Sequence, residues 1–379
     1  MALLSALLLL PALAYAALMT LCLYGWRRLE HWEIPPDYVP ETRVTVLVPA
    51  RNEAAHIADC LHSLLACRYP PELLEIIVLD DHSDDDTAAL AAQAAAGCAV
   101  SMRVLRLAEQ PGPPVSGKKN ALALGVSCAQ GELIATTDAD CLVPPDWLLL
   151  AASLYETRRP GVLVGPVTAH RERTIFQRFQ ALDWTGMAGI TGAGIALGGH
   201  RIGNGANLFY PKSVFEAVGG YADNAHRASG DDVFLVQKIA RQHPVVFLKN
   251  PAAAVRTEVC PDVRAFVQQR LRWGTKNTAL PEAGAKAALA VVFLCCIAIV
   301  LTPLLFFSLP ALFPVWCAQL VLKALADYVL LREMCLFFDR RDLFRAFWPA
   351  FFLHTAYIAG VGMASLLVKK YTWKGRRLQ

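Results

Sequence analysis

Long apolar runs near both ends of the chain constrain its fold more than any other feature. Residues 2–25 are almost wholly apolar, and further runs follow over about 286–309, 311–331 and 346–368. Each is long enough to cross a hydrocarbon layer of about 30 Å as a helix. Hydrophobic residues make up 55% of the 379 residues, above the roughly 45–50% of soluble domains. We therefore predict one N-terminal and about three C-terminal transmembrane helices.

The first apolar run has a second interpretation, because a secretory signal peptide is also apolar and "AYA" resembles a cleavage site. No basic residue precedes the run, however, whereas Arg27 and Arg28 follow it directly. Basic residues on this side are typical of a retained helix whose following segment stays in the cytosol. We expect an integral protein of the bacterial inner membrane, with the domain that follows the helix in the cytosol. Charges flank the last apolar run on both sides, so the topology there stays open.

Between the apolar ends, short β-branched runs alternate with alanine-rich helical stretches, which is typical of an α/β domain. The pattern predicts strands over 43–50, 73–80, 102–107 and 132–140. The predicted organisation is an anchor over 1–26, an α/β domain over 42–275, a membrane region over 284–370 and a basic tail over 371–379.

Composition excludes several classes of partner and site. The net charge of +4 is too small to favour a nucleic-acid partner. The eleven cysteines are odd in number and contain no C-x-x-C pair, so we predict neither a zinc site nor a disulfide framework. We expect reduced cysteines packed in the interior.

Polar residues follow three of the predicted strands. Asn52, Asp80 and Asp138 each stand at a strand end, and ligands bind beyond the carboxyl ends of strands in such sheets. In "ATTDADCLVPPDW", Asp138 and Asp140 can hold a hard divalent cation with open positions for diphosphate oxygens. Polar turns also favour aspartate, so this pair alone leaves both interpretations open.

The other polar motifs each have a plain structural alternative. "VLDDHSDDDT" and "GDDVFL" also suit solvated helix starts, and "QRLRW" also suits a basic helix on a membrane surface. The glycine-rich stretch over 190–207 is predicted not to be helical throughout and to form a loop, in which Asn204 and Asn207 are candidate ligand contacts.

Taken in order, the motifs resemble those of family 2 glycosyltransferases with the GT-A fold. The series is "VPARNEA", "VLDDHSDDDT", "GKKNALALG", "TTDAD", "GANLFYPKSVFEAVGGY", "GDDVFLVQKI" and "QRLRW". The likeness is greatest to the membrane-embedded branch, which includes cellulose, chitin and hyaluronan synthases and ceramide glucosyltransferase. It covers residues 42–275 and implies a Rossmann-like, mostly parallel sheet.

The resemblance implies a nucleotide-sugar site. Asp80 corresponds to the residue that accepts the uracil ring N–H, which implies a UDP-sugar. Asp140 would ligate Mg²⁺ or Mn²⁺, and Asp138 would be shared between the ribose and the metal. The remaining residues expected to bind the nucleotide-sugar are Asn52, Glu53, Lys118 and Arg272.

The resemblance also implies the reaction. Asp232 corresponds to the base that deprotonates the acceptor hydroxyl in one in-line, inverting displacement, with Asp231 as the alternative. Gln269 and Trp273 would contact the acceptor.

We expect transfer of a single sugar to a membrane lipid, because about four membrane segments are few for a secretion channel. Processive polysaccharide synthesis is the alternative, and no partner subunit is identifiable. A non-catalytic scaffold would have lost a catalytic position, and none is lost here. The large polar middle and the expected absence of charged residues deep in the spans argue against a transporter.

Overall fold

The computed structural model describes residues 1–109, 117–222, 230–277, 282–367, 371–373 and 376–378. Contacts divide the chain into two compact units. The helical unit comprises Met1–Arg28, Ala169–His200 and Val259–Gln379, and the sheet unit comprises Leu29–Thr168 and Arg201–Glu258.

The helices, in chain order, are α1 (Ala2–Arg28), α2 (Ile57–Leu65), α3 (Thr87–Ala95), α4 (Lys118–Cys128), α5 (Trp147–Arg158), α6 (Ile175–Leu197), α7 (Lys212–Ala217), α8 (Asp231–Ile239), α9 (Val263–Asn277), α10 (Ala283–Leu301), α11 (Phe313–Phe337) and α12 (Phe347–Leu367). The strands are β1 (Val44–Ala50), β2 (Leu74–Asp80), β3 (Ser101–Arg106), β4 (Leu133–Thr136), β5 (Cys141–Leu142), β6 (Val162–Val164), β7 (Val167–His170), β8 (Leu208–Pro211), β9 (Val245–Phe247), β10 (Val255–Glu258), β11 (Tyr371–Trp373) and β12 (Arg376–Leu378).

A seven-stranded sheet forms the core of the sheet unit, in the order β3-β2-β1-β4-β8-β6-β9. The first four strands are parallel, and β8 runs antiparallel to both β4 and β6. Strands buried on both faces read as continuous apolar runs, which explains why β1 and β2 are recognisable in the sequence. The predicted mixed α/β fold with a mostly parallel sheet is confirmed.

The parallel register brings three strand ends to the same edge of the sheet. Ala50, the last residue of β1, lies opposite Asp80, and Leu47 lies opposite Thr136 at the end of β4. The loops that carry Asn52, Asp80 and Asp138 therefore leave the sheet side by side.

One buried carboxylate ties the parallel strands together. Glu75 on β2 accepts hydrogen bonds from Thr45 Oγ1 at 2.7 Å, Arg103 Nη2 at 2.8 Å and Gln130 N at 2.9 Å. Thr45 Oγ1 in turn accepts from Gly131 N at 2.8 Å. The Glu75 carboxylate thus connects β2 to β1, to β3 and to the turn before β4.

In the helical unit, α1 packs against α6, α10 and α11, and α12 packs against α6, α9 and α10. Among the described residues, Ala2–Arg28 and Ala283–Phe307 are long and apolar enough to cross a membrane. The segments predicted over 311–331 and 346–368 are helical in α11 and α12. Membrane crossing by any of these four helices stays a prediction.

The expectation that no charged residue lies deep in the apolar segments is wrong. Within 311–331, the side chain of Lys323 is 0% exposed and that of Asp327 is 10% exposed. Lys323 Nζ donates to Asp327 Oδ2 at 2.6 Å, and the Tyr15 hydroxyl donates to the other oxygen of the same carboxylate. Buried charges persist because they are paired and hydrogen-bonded.

The glycine-rich stretch over 190–207 is partly helical. Helix α6 starts at a capping box, in which Thr174 and Gln177 exchange hydrogen bonds, and continues to Leu197. Its glycines permit close packing, since a Cβ at Gly189 would lie 2.2 Å from Met334 Sδ on α11. Tertiary packing outweighs the low helix propensity of glycine here.

We expect Glu75→Gln to lower the free energy of unfolding by about 3 kcal/mol, because an amide cannot replace the charge beside Arg103 and presents N–H groups to other donors. Urea unfolding of the purified protein measures the change. Glu72→Gln, at an exposed position, is the matched control and should be nearly neutral. Equal stability of the two variants would show that the Glu75 network contributes little.

Candidate active site

Asp80 offers an unused acceptor at the edge where the parallel strands end. The residue is only 5% exposed, and its Oδ1 has no hydrogen-bond partner among the described residues. A buried acceptor without a partner is unfavourable, so this oxygen suits an N–H group of a ligand.

The neighbouring aspartate has a structural role instead. Asp81 Oδ2 accepts from Gly117 N at 2.9 Å, and its Oδ1 lies 3.0 Å from His82 Nδ1. Asp81 therefore holds the turn that leads into α4. Asp80 and Asp81 thus face different surroundings, because successive side chains of an extended chain point to opposite sides.

Asn52 and Glu53 connect the loops that follow β1 and β2. Asn52 N donates to Ser83 Oγ at 3.0 Å, and Asn52 Oδ1 accepts from Asp84 N at 2.9 Å. Glu53 N donates to Thr87 Oγ1 at 2.8 Å. The structure places both residues at the expected edge, where they order the loops. Direct contact with a nucleotide-sugar stays a prediction.

Three possible metal ligands gather after β4. Carboxylate oxygens of Asp138 and Asp140 and the Cys141 sulfur all lie within 4.8 Å of one another. The Cys141 thiol is buried and donates to Asp140 Oδ1 at 3.4 Å. Burial, together with the charges of Asp140 and Asp138, raises the pKa of this thiol well above its ordinary value.

This donor set fits a hard divalent cation. Mg²⁺ and Mn²⁺ prefer carboxylate oxygens, and both aspartates are partly exposed. Both cations bind oxygen in preference to sulfur, and the Cys141 thiol donates a hydrogen bond to Asp140, so the two aspartates are the expected ligands. Sequence inspection missed this residue, although it directly follows the aspartate pair.

Lys118 reaches the same aspartates. It lies in the first turn of α4 and forms an ion pair with Asp138. Its neighbour Lys119 is buried, with its Nζ 5.9 Å from the centre of the Phe234 ring on α8. Of the two lysines, Lys118 is therefore the one that places positive charge beside the predicted metal ligands.

Asp232 stands at the start of α8, and its carboxylate is held by the backbone. Its Oδ1 accepts from Val233 N at 2.8 Å and its Oδ2 accepts from Gly205 N at 3.2 Å. The side chain of Asp231 lies outside the described residues.

Gly205 joins Asp232 to the strand that carries the aspartate pair. Thr136 Oγ1, two residues before Asp138, donates to Gly205 O at 2.7 Å, while Gly205 N donates to Asp232. The predicted metal ligands and the predicted base are thus linked through one residue. No sequence signal singled out Gly205, because it acts only through its backbone.

Asn207 proves to be structural. Its side chain donates to Pro166 O at 2.7 Å and Ala253 O at 2.9 Å, and accepts from Trp147 Nε1 at 2.8 Å. Because this side chain is fully buried and both of its N–H groups and its oxygen are bound within the protein, it cannot reach a ligand, which corrects the expected ligand contact at Asn207.

Gln269, Arg272 and Trp273 lie on α9 of the helical unit. The Arg270 guanidinium covers one face of the Trp273 ring, 4.3 Å from its centre, and the Trp184 ring meets Trp273 edge-on at 5.4 Å. The roles of Gln269, Arg272 and Trp273 toward donor and acceptor stay predictions.

Comparison with known proteins places the site in a family. Residues 45–219 match the model of Glycosyl transferase family 2, and residues 133–360 match that of Glycosyl transferase family group 2. The second match spans more than half of the chain and includes the aspartate pair, α8 and α9.

Curated relatives carry lipid-related names. The Beta-monoglucosyldiacylglycerol synthase of Trichormus variabilis is 29% identical over 232 residues, which are 61% of this chain and 48% of that protein. The Undecaprenyl-phosphate 4-deoxy-4-formamido-L-arabinose transferase of Klebsiella pneumoniae is 30% identical over 143 residues, 37% of this chain and 41% of that protein. The chain thus spans about half the length of the curated relatives that it matches.

A solved structure shares the fold along nearly the whole chain. The mannosyltransferase PcManGT from Pyrobaculum calidifontis, in complex with GDP-Man and Mn²⁺, superposes with a TM-score of 0.56 and 21% identity, covering 96% of this chain and 99% of that one. Together with the extent of the family matches, the conclusion is that this chain belongs to the family 2 glycosyltransferases.

Proposed function

We propose that the protein is a membrane-bound, inverting glycosyltransferase that moves one sugar from a nucleotide-sugar to a membrane lipid. The observation that carries the proposal is the link through Gly205, which ties the strand ending in Asp138 to Asp232. A pair of carboxylates suited to a cation and a separate carboxylate suited to a base are the two parts that an inverting transfer needs.

The donor is a UDP-sugar in this proposal. Asp80 Oδ1 is a buried carboxylate oxygen with unused acceptor capacity, which suits the N–H of a uracil ring. A guanine ring also offers N–H groups, and the related mannosyltransferase contains GDP-Man. The choice of uracil rests on the family resemblance at Asp80, and a guanine donor is the alternative.

Asp138 and Asp140 would hold Mg²⁺ or Mn²⁺, which when bound supplies positive charge to the leaving nucleotide diphosphate. Lys118, already paired with Asp138, adds a point positive charge at the same place. Arg272 would contribute a planar, bidentate cation to the diphosphate.

Asp232 would take the proton from the acceptor hydroxyl as that oxygen attacks the anomeric carbon and the bond from sugar to phosphate breaks. The two backbone N–H groups that bind its carboxylate fix its direction. A single displacement on the face opposite the leaving group inverts the anomeric centre. Asp231 is the alternative base.

A lipid acceptor agrees with the names of the relatives and with the apolar helices α1 and α10. Tyr15, which belongs to the "AYA" stretch, is buried against Asp327. This contact supports a retained anchor, because removal of α1 would deprive a buried carboxylate of one of its two donors. Gln269 and Trp273 would contact the acceptor, and the catalytic domain would face the cytosol.

The first test is transfer itself. We expect purified protein in lipid nanodiscs, supplied with labelled UDP-sugars, to form a labelled product that migrates as a lipid on thin-layer chromatography. Asp140→Ala and Asp232→Asn should each lower turnover at least about 100-fold, because they remove a metal ligand and the base. Asp37→Asn, at an exposed position of the sheet unit, is the control and should retain activity.

Circular dichroism checks that both inactive variants are folded. Labelled product that stays at the origin and is digested by a glycosidase would favour processive polysaccharide synthesis. Near-normal turnover of either variant would remove that residue from its assigned role.

The second test concerns the nucleotide base. We expect Asp80→Asn to raise the KM for the UDP-sugar about 10- to 100-fold with little change in kcat, because a charge-assisted hydrogen bond to the base is lost at a distance from the reacting bond. The same variant is assayed with GDP-sugars. A wild-type preference for GDP-sugars would contradict the uracil assignment, and an unchanged KM would exclude Asp80 from base binding.

The third test separates the cation's ligands from Cys141. We expect Asp140→Ala to weaken Mn²⁺ binding at least about 100-fold, whereas Cys141→Ser should leave it within about twofold, since Mn²⁺ prefers oxygen ligands to sulfur. Calorimetric titration with Mn²⁺ measures both, and Cys128→Ser serves as the control for loss of a thiol elsewhere in the sheet unit. Equal weakening by Cys141→Ser would make the thiol a ligand.

A further inference from the structure

A group of ionisable side chains lies inside the helical unit, on α6, α9, α11 and α12. Its members are Asp183, Arg270, Lys323, Asp327, His354 and Tyr357. The two cationic and two anionic side chains among them balance each other in charge. Charged side chains at such positions are unfavourable unless they are paired. Where they occur in apolar segments, they usually have a functional role.

The pair of Asp183 and Arg270 joins α6 to α9. Their side chains are 7% and 4% exposed, and Arg270 Nη2 lies 2.7 Å from Asp183 Oδ2. The Tyr357 hydroxyl donates to Asp183 Oδ1 at 3.4 Å. Neither charge can be solvated if the helices separate only slightly, so the pair resists movement of α9 against α6.

Aromatic contacts reinforce the same junction. The Arg270 guanidinium lies over the Trp273 ring, and Trp184 meets that ring edge-on with an interplanar angle of 86°. On α6, Asp183 contacts Arg270 and its neighbour Trp184 contacts Trp273, three residues further along α9. Contacts at two points on one side of a helix fix its rotation about its axis.

Fixing the rotation of α9 also fixes the direction of its other residues. Gln269 and Arg272 are three apart and form the strip next to that of Arg270 and Trp273 on the helix surface. A helix held by its backbone hydrogen bonds rotates as one body. A rotation about its axis that displaces Arg270 therefore turns Arg272 through the same angle. The side chains expected to act on donor and acceptor are thus set by a contact that neither substrate makes.

We propose that Asp183 is a positioning residue for the transfer reaction, acting through Arg270 to hold α9 so that Arg272 and Trp273 meet their substrates. The role of α9 in catalysis rests on the proposed function, whereas the hold on α9 rests on the contacts alone. A purely structural pair would lower stability without lowering the turnover of the folded protein.

The test compares kinetic constants and melting temperatures of the full chain in nanodiscs. Asp183→Asn should lower kcat at least about tenfold with the donor KM within about threefold, because misplacement acts mainly on the transition state. Asp183→Glu, which keeps the charge, should recover most of kcat. Glu172→Gln breaks another ion pair of the helical unit, with Arg340 at 2.9 Å, and should leave kcat within about twofold. A kcat of Asp183→Asn within twofold of wild type, or an equal loss in the control, would overturn the proposal.

A second pair of variants guards against misfolding. Asp183→Leu combined with Arg270→Met removes both charges, so no unpaired charge remains buried. This double variant should melt near the wild-type temperature and still show the low kcat, and full activity would overturn the proposal. Adding Asp183→Asn to Arg270→Gln should lower kcat no further, whereas multiplied losses would mean that Asp183 does not act through Arg270.

Hydrogen exchange of residues 263–277 gives a readout independent of activity. Amides of α9 should exchange at least about tenfold faster in Asp183→Asn than in wild type. In Glu172→Gln their exchange rates should equal those of wild type. If wild-type protein transfers no sugar, the proposed function fails. Hydrogen exchange still tests whether Asp183 fixes the position of α9. Unchanged exchange in Asp183→Asn would overturn the inference on its own.

Discussion

The parallel pairing of β1 with β2 and β4 is the constraint on which the candidate site depends. It aligns three strand ends, so residues from separate parts of the sequence leave the sheet at one edge. Slippage by one residue would turn each strand's side chains to the opposite face. Glu75 opposes such slippage, because its buried carboxylate binds groups from both neighbouring strands and from the turn before β4.

Beyond the sheet, the site depends on backbone contacts. Gly205 uses its carbonyl toward Thr136 and its N–H toward Asp232. The strand that leads to the aspartate pair and the carboxylate proposed as the base are therefore connected by a residue that has no side chain and acts through its backbone. In a reaction where a leaving group and an attacking oxygen must be aligned, a short, stiff connection of this kind limits misplacement.

Strongly patterned elements were predictable from the sequence. The run over 43–50 became β1 (Val44–Ala50), and that over 73–80 became β2 (Leu74–Asp80), because strands buried on both faces have a continuous apolar signature. The strand expected over 132–140 ends at Thr136. Asp138 and Asp140 follow the strand and lie outside its hydrogen-bonded ladder.

Contacts between distant segments were not predictable. Even the local pair of Lys323 and Asp327, four apart with opposite charge, was missed, because the surrounding apolar run predicted that no charged residue lies there. The ion pair of Asp183 with Arg270 joins residues on two helices with no local pattern in common. Helix α6 persists through its glycines because α11 packs closely on it, which is tertiary information that propensity does not contain.

The bond from Tyr15 to Asp327 has a consequence for how the chain is made. The two residues are 312 positions apart, and the whole sheet unit lies between them in the sequence. During synthesis α1 emerges long before its partner on α11 exists, whereas every strand of the seven-stranded sheet has already been translated by then. The order of translation thus lets the sheet unit mature first and leaves assembly of the helical unit as the final event.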